Sequence, residues 1–145
     1  MKRLRLALLA ARALPTTVFA EVTNDYILKV EQSTKLFSEG KFSEMSKICE
    51  ELIEISPEAP NGYVCKGIAL GFRSKNKRKS REALTNLTKA IEINPEYYEA
   101  YFFRGLLQFT IRRRENSGTA RTACKDMSRA YFNNYPPALE YVKKK

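Results

Sequence analysis

Two stretches of the chain repeat one another, and a repeat limits the fold more tightly than composition does, because each unit must bury its apolar face against a neighbour. Tyr63-Val-Cys-Lys-Gly67 matches Tyr101-Phe-Phe-Arg-Gly105, 38 positions apart. Ala83 and Ala90 match Ala123 and Ala130, seven apart in both copies and 40 positions removed. Pro57 and Pro95 each end an apolar run, as Ile-Ser-Pro and Ile-Asn-Pro. A looser copy comes first, with Leu36, Phe42, Met45, Cys49 and Leu52 on the equivalent face and Glu39-Gly40-Lys41 as its turn. Each unit therefore reads as two amphipathic helices joined by a turn and closed by a proline or proline-like break. The pattern predicts helices over 24–38 with 42–55, 60–73 with 79–93, and 97–112 with 118–132. A short helix near 137–143 follows, started by Pro136-Pro137.

Small residues say how these helices meet. A glycine inside a helix costs about 1 kcal/mol relative to alanine, so Gly67 and Gly105 imply a helix contact too close for any larger side chain. Ala83, Ala90, Ala123 and Ala130 offer matching small surfaces. Tyr63, Tyr101, Leu87 and Met127 fill the spaces beside them.

These residues resemble the tetratricopeptide repeat (TPR), a helix-turn-helix of about 34 residues with an aromatic and a glycine in its first helix, alanines in its second and a terminal proline. The run from Ala83 to Pro95, continuing through Glu99 to Gly105, carries the resemblance most clearly. The first unit lacks the aromatic and the glycine, and the third ends in Tyr135-Pro136. The resemblance implies an all-α solenoid of three repeats, at about 25–59, 60–97 and 98–137, with a capping helix over 137–143. Leu139 and Val142 are then expected to shield the end of the stack.

The first twenty residues are expected to lie outside that domain. All 16 carboxylates fall at or after Glu21, while residues 1–20 carry Lys2, Arg3, Arg5 and Arg12. A basic head, an apolar middle from Leu6 to Ala11, and Val18-Phe19-Ala20 before Glu21 match a secretory signal peptide cut after Ala20. Arg12 weakens that match, since a guanidinium at the centre of an inserting segment costs about 2.5–3.5 kcal/mol. An organelle presequence and a disordered arm remain open alternatives. Export to the periplasm or the exterior is the leading expectation, with organelle targeting second. The apolar run is far shorter than the roughly 20 residues a bilayer span needs.

Composition excludes most chemistry. With 145 residues the chain is one domain, and its 43% hydrophobic and 29% charged residues are those of a folded protein. It contains no histidine, which removes Ser-His-Asp and Cys-His nucleophiles and histidine-bound zinc. Its three cysteines, one per unit, have no metal-ligand spacing. They read as small buried hydrophobes. Cys49 and Cys65 sit on adjacent helices and can bridge only if their Cα atoms lie within roughly 7 Å. The sequon Asn86-Leu-Thr88 falls inside a predicted helix and reads as chance. No phosphate loop, carboxylate pair or metal cluster stands out, so no enzyme, cofactor or metal is expected.

Two surfaces remain. The resemblance places the concave lining at Ile27, Val30, Thr34 and Phe37 in unit one, at Asn61, Val64, Ile68 and Gly71 in unit two, and at Glu99, Phe102, Leu106 and Phe109 in unit three. Such a wall suits a hydrophobic peptide or one face of a partner helix, with Phe37, Val64, Ile68, Phe102, Leu106 and Phe109 as the expected contacts. Chaperone-tail binders of this family clamp a terminal carboxylate with lysine and asparagine where this chain has Val30 and Thr34, so that reading drops out. The second surface is basic. The long turn of unit two carries Arg73, Lys75, Lys77, Arg78, Lys79 and Arg81, and that of unit three begins Arg112-Arg113-Arg114. Together they predict a ridge able to attract a nucleic acid or an anionic lipid surface. No aromatic residues alternate with these charges as they do in single-strand binders. A non-catalytic adaptor that holds a protein partner in the groove is therefore the leading expectation, and ridge binding the alternative.

Overall fold

The computed structural model describes residues 16–72, 74–115 and 120–143, and side chains within 23–72, 74–111 and 121–141. Seven helices lie among them: α1 (Thr16–Ser38), α2 (Phe42–Ile55), α3 (Pro60–Gly71), α4 (Lys77–Ile93), α5 (Tyr98–Glu115), α6 (Ala120–Phe132) and α7 (Pro136–Lys143). Each helix packs on the next, and the first helices of successive pairs also meet, α1 on α3 and α3 on α5. The result is an all-α solenoid of three helix pairs and a cap.

Local chemistry sets most boundaries. Gly40 adopts φ 70°, a left-handed conformation that glycine tolerates at no steric cost, and the Lys41 amide closes α1 by donating to the Leu36 carbonyl at 2.9 Å. Asn134 ends α6 in the same way, with φ 57° and a bond from the Tyr135 amide to the Ala130 carbonyl. Pro60 and Pro136 open α3 and α7, where a missing N–H costs nothing. Asn76 caps α4 through Oδ1, which accepts from the Arg78 and Lys79 amides at 2.9 and 3.3 Å.

The close approaches read from glycine are present. A Cβ added at Gly67 would lie 2.6 Å from Leu87 Cγ, and one at Gly105 would lie 2.9 Å from Met127 Cγ and 3.0 Å from the Ala123 carbonyl. Ala83, Ala90, Ala123 and Ala130 are all fully buried. Here the α3/α4 and α5/α6 pairs are drawn together, and Leu52, Leu87 and Leu107 fill the remaining core.

Several details differ from the sequence reading. Helix α1 begins at Thr16 and passes through the predicted cut after Ala20; the rest of the proposed leader, 1–15, lies outside the described residues. Lys77, Arg78, Lys79 and Arg81 belong to the first turns of α4, and Arg112, Arg113 and Arg114 to the last turn of α5, so most of the expected basic turns are helical. The Asn76 cap explains the early start of α4. At the cap, Ala138 is the fully buried residue while Leu139 is half-buried; the Val142 side chain lies outside the described residues. No helix among the described residues is long and apolar enough to cross a membrane.

The cysteines also depart from the sequence reading. Cys49 of α2 and Cys65 of α3 form a disulfide with Cα atoms 5.4 Å apart, which ties unit one to unit two, whereas Cys124 is free and exposed. Their separation of 16 positions gave no indication of that distance. Unfolding the unreduced protein should therefore expose one reactive thiol; a count of three would contradict the bridge.

Candidate functional site: the concave groove

The first helices present their lining residues at i, i+3, i+4 and i+7, the spacing that aligns side chains along one helix face. On α1 these are Val30, Ser33, Thr34 and Phe37, and on α3 they are Asn61, Val64, Cys65 and Ile68. Together with Met45, Leu52, Tyr97, Glu99, Phe103, Tyr135 and Pro137 they enclose a cavity of about 330 Å³. A cavity of that size and lining holds a few side chains of a ligand.

Of the six expected contacts, Phe37, Val64 and Ile68 line the cavity. Phe102, Leu106 and Phe109 do not. Phe102 is buried under the cap, with its ring 5.5 Å from that of Tyr135 and 6.3 Å from that of Tyr141, and Leu106 packs in the same cluster. Phe109 is half-buried away from the cavity wall. Helix α7 covers this face, with Ala138 and Tyr141 packed in the same cluster. Phe103 lines the groove instead, edge-on to Phe37 at 6.4 Å and to Phe72 at 5.6 Å. Of the wider lining set, Val30, Thr34, Asn61 and Glu99 are on the wall, Gly71 is packed against Leu107 and Ala83, and Ile27 is exposed.

One polar cluster interrupts the apolar wall. Glu99 sits in the first turn of α5 and shares the cavity wall with Tyr97 and Tyr135. Burial pushes its carboxyl above the usual range, and the neighbouring Tyr97 hydroxyl opposes that only in part. Tyr97 and Tyr135 are both pushed well above the normal phenol range, first by burial and then by the Glu99 charge. None of the lining residues is lysine or arginine.

The second expected surface is only partly described. Lys75, Lys77, Arg78, Lys79 and Arg81 are exposed. Arg73 and the side chains of Arg112, Arg113 and Arg114 lie outside the described residues. Lys79 and Lys47 border a shallow cavity of about 360 Å³ with Ser43, Ser46 and Ser74 and no carboxylate.

A buried network absent from the sequence reading joins the last two units. Arg104 donates through Nε to Asp126 Oδ2 at 2.7 Å, through Nη2 to Oδ1 at 2.9 Å and through Nη1 to Thr88 Oγ1 at 3.1 Å. Its guanidinium also lies 5.6 Å from the centre of the Tyr101 ring. The two partners stand 22 positions apart, and no periodicity connects them.

No protein-family model and no curated protein sequence matches the chain. Solved structures do. The first TPR of Spaghetti (RPAP3), bound to the HSP90 peptide SRMEEVD, is 24% identical over 83% of this chain and 92% of its own, with a TM-score of 0.64. The TPR2B domain of yeast Sti1, in complex with pHsp70, is 22% identical over 74% and 81%, with a TM-score of 0.57. The Arabidopsis OM64 TPR domain is 16% identical over 85% and 95%, with a TM-score of 0.63. Helix-pair order, the glycine and alanine contacts and these likenesses agree: the chain has the fold of a tetratricopeptide-repeat domain.

Proposed function

We propose that the chain is a non-catalytic adaptor that grips an extended segment or helix of a protein partner in the concave groove. The observation carrying this reading is the cavity itself, walled by Phe37, Val64, Ile68 and Phe103 and left open by the chain's described residues. The solved TPR domains in complex with HSP90 and Hsp70 peptides lend support to peptide binding as the use of such a fold. The HSP90 peptide SRMEEVD, with two glutamates and an aspartate, does not suit this groove, which offers Glu99 and no base. Affinity capture with wild-type chain and Phe37→Ala tests the reading. Phe37 is 39% exposed, so its truncation should weaken partner retention about tenfold, an ordinary loss for an interface aromatic, without changing helicity. Retention unaffected by Phe37→Ala would contradict the groove.

A second reading draws on the Lys47–Lys79 cavity and the exposed bases of α4: attachment to nucleic acid or anionic lipid. Binding that falls steeply with rising salt and ignores Phe37→Ala supports that reading instead. On localisation, a bridged Cys49–Cys65 pair belongs to an oxidising compartment, which favours export over the other readings of residues 1–20. N-terminal sequencing of the mature protein should begin at Glu21; retention of Met1 would contradict processing.

A further inference from the structure

The groove carries one charge and no base to balance it, in a chain whose net charge is +10. We propose that it selects an apolar peptide segment bearing a lysine or arginine, whose cationic head docks on the Glu99 carboxylate between Tyr97 and Tyr135. This inference rests on the groove reading and names the chemistry of its partner.

The geometry supplies the parts. An ionised carboxylate accepts about four hydrogen bonds, and the Tyr97 hydroxyl on the same wall can supply only one, which leaves acceptor capacity on Glu99. The two phenol rings share the cavity wall with it, and aromatic faces attract a cation that sheds its water. Burial disfavours the charged form of Glu99, and an incoming cation offsets that. Peptides ending in carboxylates would instead meet repulsion. Val64, Ile68 and Phe37 receive the apolar remainder of the segment.

Three pools of short fluorescent peptides test this, each with random Ala, Leu, Val and Phe around a fixed central Lys, Gln or Glu. Fluorescence anisotropy with the full chain should favour the Lys pool over the Gln pool by about tenfold to a hundredfold, the range for a hydrogen bond to a charged partner, with the Glu pool weakest. Glu99→Gln should erase the difference between Lys and Gln pools while leaving apolar binding in place. Equal binding of the Lys and Gln pools to wild type, or a Lys preference that survives Glu99→Gln, overturns the inference. If Phe37→Ala weakens all pools alike in that case, the groove reading still stands. Binding of none of the pools overturns both.

Discussion

Replacing Asp126 by alanine should cost about 3 kcal/mol of folding stability, the low end for breaking a buried ion pair. The reason is the charge left behind. The Asp126 and Arg104 side chains are only 8% and 20% exposed, so the small value of a surface pair does not apply. Truncation removes both carboxylate acceptors and leaves the guanidinium with Thr88 and the face of Tyr101. Those contacts do not balance a desolvated cation. Replacing both partners, Arg104→Met with Asp126→Leu, should recover much of the loss, because no unpaired charge then remains. Equilibrium denaturation of the three proteins decides the matter. A loss under about 1 kcal/mol in Asp126→Ala would mean that water reaches the pair and that it does not hold α5 to α6.

Gly67→Val should be comparably damaging. A Cβ there falls 2.6 Å from Leu87 Cγ and 3.2 Å from the Ala83 carbonyl, so both a branched core side chain and the α4 backbone would have to move. Relief of glycine's helix penalty returns less than about 1 kcal/mol, since valine is itself a modest helix former. Overpacking of a filled core costs about 1–3 kcal/mol and sometimes more, and here the γ-methyl groups meet a fully buried neighbour. Overpacking wins, and the net loss should be about 2–3 kcal/mol by thermal or chemical unfolding. A variant as stable as wild type would show that the α3/α4 pair is not packed as closely as the structure has it.

How much of this was legible depends on the range of the interaction. Helix pairs, the Gly40 turn and the Gly67 and Gly105 contacts follow from local periodicity and from residues whose helical cost needs compensation. Half of the groove followed as well, because Val64 and Ile68 sit on a helix whose neighbours on both sides obey the repeat. At Phe102 the same rule failed, because the contacts that cover it come from Tyr135, just before the cap, and Tyr141 within it, which have no counterpart in the earlier units. Tyr97 and Tyr135 reach the cavity from segments between helices, outside any repeating face. Arg104 and Asp126 stand 22 positions apart on different helices, and only packing sets them together. The disulfide was undecided for a related reason: spacing along the chain does not fix the distance between neighbouring helices.

The most direct test of the groove as the binding surface is methyl NMR of the full chain, with Val and Ile labelled, titrated with the captured partner or the Lys-pool peptides. Shifts concentrated at Val30, Val64 and Ile68 are the expected result. Those methyls unmoved at saturation, with perturbation confined to the amides of Lys75 to Arg81 in a parallel 15N-labelled sample, would contradict it.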